Sequence, residues 1–181
     1  IAAAFFAFKG DFMKRGYANR GKAFEKLLLI SNQQYALKKW AAVEKVEPTF
    51  KTLGRHRNYS YGFYEAPGFV DFVGVANGRS ICFEAKSTAN RTNFPLNNID
   101  PKQYKILNDW HTQGSISFLL IEFEKHKRVF LLTFTQLAEW WQGAAEGGRK
   151  SIPYEWFHVN CEEVKTDRGI VLDYLQALKL P

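Results

Sequence analysis

VDFVGVANGRSICFEAKST, residues 70–88, is the stretch that decides the fold of this 181-residue chain. Two apolar runs, 69–75 and 79–85, lie on either side of Asn77 and Gly78. An Asn-Gly pair between apolar runs is the strongest short-range signal for a β-hairpin with a two-residue turn. The sequence therefore predicts two adjacent antiparallel strands here.

The predicted turn also determines which side chains face each other. With a two-residue turn, Ala76 pairs with Arg79, and counting outward places Asp71 directly opposite Glu84. Lys86 lies two residues beyond Glu84 and shares its face of the hairpin. The prediction depends on the register, because a slip of one residue would move Glu84 to the other face.

Two opposed carboxylates among apolar residues are destabilising unless something neutralises them. A hard divalent cation would do so, and Mg²⁺ typically takes one or two carboxylates and keeps several waters. We therefore predict Mg²⁺ as cofactor and expect Mn²⁺ to substitute for it. Lys86 would hold or deprotonate a water, or stabilise negative charge on a phosphodiester. The alternative is a salt bridge between Lys86 and Glu84 or Asp71.

The spacing of these three residues, D-x(12)-E-x-K, matches the PD-(D/E)xK nuclease signature. Glu25, on a predicted helix, is a candidate third carboxylate, and Gln103, on a later predicted helix, is a candidate for binding a water or a phosphate. Each of the two has an ordinary alternative as a solvent-exposed helix residue.

The composition favours a single domain with a polyanionic partner. Lys and Arg number 25 against 18 Asp and Glu, for a net charge of +7, and 46% of residues are hydrophobic. The length fits one domain over 1–181. Cys82 and Cys161 suggest neither a disulfide framework nor a zinc site, and no apolar run suits a membrane span. We expect a cytoplasmic protein without a membrane partner.

The positive charge is concentrated in a few segments. Residues 1–20 read as a flexible basic N-terminal arm, and 51–64 interleave basic and aromatic residues without an acid. Such a composition suits a surface that follows phosphates and stacks on bases, although it also fits a solvated loop. The candidate DNA-binding residues of 51–64 are Lys51, Arg55, His56, Arg57 and Tyr59, and a third basic cluster adds Arg149 and Lys150.

The remaining pattern predicts an α/β fold with a small mixed central sheet flanked by helices. The predicted elements are a helix over 21–44, a projecting loop or hairpin over 49–67, the hairpin described above, a helix over 101–113 opened by Asp100 and Pro101, a hairpin over 115–123 and 128–134, a helix over 136–142 capped by Thr135, a loop over 143–153 and a helix near 172–179.

Several longer pieces of the sequence resemble the RecU family of Holliday junction resolvases. In chain order they are GKAFEKLLLISNQQY (21–35), VDFVGV (70–75), ICFEAKST (81–88), FPLNNIDPKQ (94–103), GSISFLLIEF (114–123), GRKSIPYEW (148–156) and LDYLQAL (172–178).

The resemblance implies a restriction-endonuclease-like core and a role for each site residue. Asp71 and Glu84 would bind Mg²⁺ together with the carbonyl of Ala85. Lys86 would serve the attacking water, Glu25 would complete the acidic site, and Gln103 would assist.

The resemblance also implies the substrate, four-way junction DNA. Residues 49–67 would form a stalk that enters the junction, and Arg20 and Lys22 would contact phosphates. A homodimer would make paired, symmetric nicks during recombination and repair, and two copies match the approximate two-fold symmetry of the junction. A recombinase or branch-migration machinery is a further candidate partner.

Two alternatives stay open at this point. One is a PD-(D/E)xK nuclease with another DNA specificity. The other is a non-catalytic junction-binding protein that modulates recombination. The stalk composition argues against the first, and intact Asp71, Glu84 and Lys86 argue against the second.

Overall fold

A computed structural model describes residues 11–47, 50–57, 59–64 and 69–180, with the backbone alone at 11–20, 50, 63 and 64. The strands are β1 (Ala41–Lys45), β2 (Phe50–His56), β3 (Tyr59–Tyr64), β4 (Phe72–Ala76), β5 (Arg79–Thr88), β6 (Asn93–Pro95), β7 (Ile116–Phe123), β8 (Arg128–Thr133), β9 (Ser151–Pro153) and β10 (Glu162–Val164). The helices are α1 (Asp11–Lys38), α2 (Pro101–Thr112), α3 (Phe134–Ala145), α4 (Tyr154–Asn160) and α5 (Tyr174–Ala177), with a 3₁₀-helix at Leu96–Asn98.

A six-stranded mixed sheet with the order β1-β4-β5-β7-β8-β10 forms the centre of the fold. All neighbouring strands in it are antiparallel except β5 and β7, which are parallel and are connected through α2. Helices lie on both faces of this sheet. The predicted α/β fold class, a small mixed central sheet flanked by helices, is confirmed.

The β4–β5 hairpin has the register that the Asn-Gly turn predicts. Ala76 pairs with Arg79 and Phe72 with Phe83. Asn77 and Gly78 have φ angles of 47° and 74°, and two successive positive φ angles are what a type I′ turn requires. The second predicted hairpin, formed by β7 and β8, is also present.

Two apolar cores lie on opposite faces of the sheet. On one face α1 and α5 cover the sheet, with Leu28 and Tyr35 packed near Phe83 and Tyr174. On the other face α2, α3 and α4 cover it, with Cys82 among the residues of that core. Because side chains alternate along a strand, residues 84 and 86 of β5 point to the same face as Cys82.

The prediction for α1 was wrong at both ends. The helix begins at Asp11, within the segment 1–20 that was predicted as an arm, and residues 1–10 lie outside the described part of the chain. Gly21 lies inside the helix, and a Cβ added there would meet no described atom within 4 Å outside the neighbouring helix backbone. The helix ends at Lys38 because Lys39 is left-handed, with φ 59°. The next residues alternate between buried and exposed and form β1.

Other boundaries also differ from prediction. Thr133, not Thr135, caps α3, because Thr133 and Gln136 form a reciprocal capping box. The helix extends to Ala145, and the predicted loop over 143–153 contributes β9, which pairs with β6. The sequence did not predict α4 or β10, whose short lengths leave little periodicity to detect. The start of α2 was predicted correctly, with Asp100 as N-cap and Pro101 at the first helical position.

Strands β2 and β3 form a two-stranded sheet separate from the central one. They occupy most of the segment 49–67 that was predicted as a projecting stalk. Leu53, Tyr59 and Tyr61 are strongly exposed on this hairpin. None of the helices in the described part of the chain is long and apolar enough to span a membrane.

Candidate active site

Asp71 lies at the residue where the β4–β5 ladder stops. Its Oδ2 accepts a hydrogen bond of 2.9 Å from the backbone N–H of Ala85, and its own N–H donates to Glu84 Oε2 at 3.1 Å. The side chain of Asp71 thus accepts the hydrogen bond that Ala85 would otherwise donate to the backbone of a neighbouring strand. The predicted meeting of Asp71 and Glu84 is therefore present in the structure.

Glu84 is buried, with only 1% of its surface exposed. Its Oε1 accepts from Lys86 Nζ at 2.8 Å and from Gln103 Nε2. Lys86 Nζ also donates to Gln103 Oε1 at 3.0 Å. Glu84, Lys86 and Gln103 consequently form a closed triangle of polar contacts on the face of the sheet that α2 covers.

Burial dominates the electrostatics of the two carboxyl groups. Desolvation, reinforced by the nearby charge of Asp71, raises the pKa of Glu84 to about 7, although Lys86 opposes the shift. Desolvation also raises the pKa of Asp71, while the Ala85 N–H and Lys86 lower it. Two desolvated carboxyl groups in contact make a site that favours an added positive charge.

Glu25 lies near this pair but has a partner of its own. It forms an ion pair with Lys45 at 3.1 Å, and Lys45 also contacts Glu47 at 3.4 Å. The charge of Glu25 contributes to the raised pKa of Asp71. Lys45 was not predicted as a site residue, because the segment 41–44 was predicted as helix and the end of β1 was not foreseen.

Gln103 is nine-tenths buried or more and serves two elements at once. Its Oε1 accepts from the N–H of Asp100 at 3.2 Å, and it is the N3 residue of the capping box of α2. The same side chain contacts Glu84 and Lys86. The pattern Asp-Pro-x-Gln over 100–103 predicts the start of a capped helix. The contact of Gln103 with β5 depends instead on how α2 packs against the sheet.

The residues present fit a divalent cation with oxygen ligands. A carboxylate has about four lone-pair positions, and the hydrogen bond from Ala85 uses one on Asp71. In a strand the N–H and C=O of one residue point to the same edge. The Ala85 carbonyl therefore points to the edge where Asp71 lies. The described part of the chain has no group of three or more His, Cys, Asp and Glu side chains that could hold a metal, so the side chains of Asp71 and Glu84 would supply only two ligands. Two carboxylates and a carbonyl suit Mg²⁺, which keeps several waters.

The predicted DNA-binding side chains that are described lie at the surface. Those on or beside the β2–β3 hairpin are Lys51, Arg55, His56, Arg57 and Tyr59, and those elsewhere are Lys22, Arg149 and Lys150. The side chain of Arg20 lies outside the described part of the chain. Arg149 and Lys150 precede β9, and the Lys150 carbonyl accepts from the N–H of Leu96 at 3.1 Å.

Comparison with known proteins gives relatives along almost the whole chain. Residues 19–180 match the family RecU, Recombination protein U. The Holliday junction resolvase RecU of Oenococcus oeni is 32% identical over 173 residues, covering 90% of this chain and 86% of the relative. That of Staphylococcus saprophyticus is 28% identical over 176 residues, covering 94% of this chain and 85% of the relative.

The fold was also compared with solved structures. The 1.6 Å structure of Archaeoglobus fulgidus Hjc, a Holliday junction resolvase, matches with a TM-score of 0.46 at 13% identity, covering 76% of this chain and 92% of that chain. Because the family match extends over residues 19–180 and the relatives align along nine-tenths of the sequence, this chain belongs to the RecU family.

Proposed function

We propose that the protein is a Mg²⁺-dependent, structure-selective DNA endonuclease that resolves four-way junctions by paired, symmetric nicks. The observation that carries the proposal is the contact between Asp71 and buried Glu84 beside Lys86, at the end of the β4–β5 ladder. The names of the RecU relatives support the substrate, since they are called Holliday junction resolvases.

Asp71, Glu84 and the Ala85 carbonyl would hold the cation. When bound, Mg²⁺ lowers the pKa of a water and polarises a phosphodiester. The ammonium group of Lys86, which contacts Glu84 and Gln103, would orient that water or stabilise the extra negative charge of the transition state. In the hydrolysis the water oxygen would form a bond to phosphorus while one bridging P–O bond breaks; the water would give up a proton to solvent and the leaving oxygen would take one up. The charge of Glu25, which helps to raise the pKa of Asp71, would also favour a cation there despite the ion pair with Lys45.

The β2–β3 hairpin and the basic residues predicted from the sequence would recognise the junction. The hairpin carries exposed aromatic and basic side chains, which suit base stacking and phosphate contact. Resolution needs two cuts related by a two-fold axis, and a single chain of this size has a radius of gyration of only ~16 Å. A homodimer with two-fold symmetry supplies both cuts.

The test is a nicking assay on a four-way junction and on linear duplex of the same sequence, with Mg²⁺, Mn²⁺ or EDTA. Wild type should cut the junction in both strands of like polarity and should need the cation. Asp71→Asn should lose cutting. Asp109→Asn is the matched control, because Asp109 pairs with Lys105 on the exposed side of α2 and should leave cutting unchanged.

Each alternative predicts a different result. Equal cutting of linear duplex and junction would favour a nuclease of another specificity. Tight junction binding without any cutting would favour a non-catalytic recombination modulator. Cutting in EDTA, or normal cutting by Asp71→Asn, would refute the proposed site.

A further inference from the structure

Two surface segments lie side by side just beyond Lys86. The loop 89–92 follows the last residue of β5, and the turn 124–127 connects β7 to β8. They meet where the N–H of Glu124 donates to the carbonyl of Thr88 at 3.1 Å. Because a strand rises about 3.3 Å per residue, this meeting point is about 7 Å beyond Lys86 along the chain.

These segments carry exposed positive charge. Arg91, Lys125 and Lys127 are exposed, and none of them forms a salt bridge with another residue in the described part of the chain. We name these three residues the basic edge. The neighbouring Arg128 differs from them, because it is half-buried and pairs with Glu163 at 3.6 Å.

The loop that carries Arg91 is held in place by its backbone. The Nε2–H of His126 donates to the carbonyl of Arg91 at 2.8 Å, and the His126 ring stacks on Tyr154 with centroids 3.8 Å apart. The N–H of Tyr154 donates to the carbonyl of Thr92 at 2.9 Å. The side chain of Arg91 takes no part in these bonds. The backbone of the loop is therefore held in place while the Arg91 guanidinium group is available to bind a ligand.

We propose that the basic edge binds backbone phosphates of the DNA strand that leaves the candidate active site. The inference rests on the proposed function, because it takes the scissile phosphate to lie at Lys86. A DNA strand carries one phosphate per 3.4 Å of helix axis, so a distance of about 7 Å corresponds to about two phosphates. The basic edge would therefore fix the strand just beyond the cut, separately from the β2–β3 hairpin.

The test measures junction binding by fluorescence anisotropy from 50 to 200 mM KCl, with Ca²⁺ in place of Mg²⁺. The slope of log Kobs against log salt is negative, and each lost phosphate contact makes it shallower by about 0.9. Lys125→Gln/Lys127→Gln should make the slope shallower by about 2, so that the affinity of wild type relative to this variant falls about tenfold across this range. Arg91→Gln should make the slope shallower by about 1.

The matched control is Lys39→Gln/Arg79→Gln, which removes two exposed cations at the opposite end of the sheet and should leave the slope unchanged. A methylphosphonate at the second or third phosphate beyond the mapped cut should weaken binding by wild type more than binding by the Arg91/Lys125/Lys127 triple Gln variant. If wild type binds no junction, the inference falls together with the proposed function. If wild type binds and cuts but the Lys125/Lys127 variant keeps the wild-type slope, the inference alone is overturned.

Discussion

Glu84 is the residue on which the candidate site is centred. It accepts hydrogen bonds from the Asp71 N–H, Lys86 and Gln103, yet it is almost fully buried. One ammonium group lies against two carboxyl groups, so the site has a deficit of positive charge. Burial raises the pKa of both Glu84 and Asp71, and at Glu84 the nearby charge of Asp71 adds to the shift.

The raised pKa of Glu84 predicts an unusual pH dependence of stability. Its pKa is about 7 in the folded protein and 4.5 for an ordinary glutamate, so between these values the folded state binds the extra proton. The stabilisation is complete below about pH 4.5 and is lost as the pH rises through 7. In EDTA the free energy of unfolding should fall by about 1 to 3 kcal/mol between pH 5 and pH 8.

Chemical denaturation of wild type and Glu84→Gln at both pH values measures this effect, because the amide cannot titrate. The fall should be smaller in Glu84→Gln. Mg²⁺ at pH 8 should restore stability to wild type, since a ligand that binds the folded state alone stabilises it. Identical pH dependence in the two proteins would show that Glu84 is not the titrating group.

A comparison with Gln136 separates two roles of Gln103, which are capping α2 and positioning Glu84 and Lys86. Both are N3 residues of capping boxes, on α2 and α3, but only Gln103 contacts Glu84 and Lys86. Each Gln→Ala change should cost about 1 kcal/mol of stability. Gln103→Ala should in addition lower the junction-nicking rate by about 10- to 100-fold, as loss of residues that orient metal ligands does.

Denaturant unfolding and single-turnover nicking under saturating Mg²⁺ distinguish these roles. Gln136→Ala should nick at the wild-type rate despite its similar loss of stability. Equal nicking by both variants would leave Gln103 with its capping role alone.

At the scale of elements, β1 packs so closely against Gly74 of β4 that no side chain fits there. A Cβ on Gly74 would lie 2.3 Å from the Ala42 carbonyl oxygen and 2.7 Å from Val43 Cα. The strand continues toward the site, where the N–H of Val46 donates to the Asp71 carbonyl at 2.8 Å. This hydrogen bond connects the segment after β1 to the backbone of Asp71.

Gly74→Ala should therefore destabilise the protein by about 1 to 3 kcal/mol, because backbone atoms of β1 must move. Gly21→Ala is the matched control. Its Cβ would meet no atom of the described part of the chain within 4 Å outside the neighbouring backbone of α1, and Ala in the interior of α1 should stabilise the protein by up to about 1 kcal/mol. Denaturant unfolding measures both changes. A Gly74→Ala protein as stable as wild type would contradict the close β1–β4 contact.

Element types were easier to predict than element ends. The turn at Asn77 and Gly78 and the cap at Asp100 are local signals, and both gave the correct structure. The end of α1 depends on the left-handed Lys39 and on the pairing of the next residues with β4. That pairing joins segments far apart in sequence, so no local pattern in 39–45 reports it.

At the scale of the whole molecule, the β2–β3 hairpin pairs with no strand of the central sheet among the residues that the structure describes. Replacing 51–64 by a short Gly-Ser linker should therefore leave the stability of the central domain unchanged. Junction affinity should fall about tenfold or more, because stacking is worth about 1 to 3 kcal/mol for each base. Thermal unfolding and junction binding measure these outcomes, with linear duplex as the control substrate.

The outcome that refutes the stalk role is normal junction cleavage by the shortened protein. Loss of the folded state on shortening would instead show that the hairpin is part of the domain's stability, against the prediction.

By itself, the sequence determined the register of one hairpin, and with it the meeting of Asp71, Glu84 and Lys86. Local turn chemistry was sufficient, because adjacent strands joined by two residues have only one compatible pairing. Only the tertiary structure decided that Gln103 closes the triangle with Glu84 and Lys86 and that Lys45 holds Glu25. It also decided that the parallel pairing of β5 with β7 brings the turn 124–127 beside the loop 89–92. These contacts join residues distant in sequence, and packing on the sheet, not local preference, selects them.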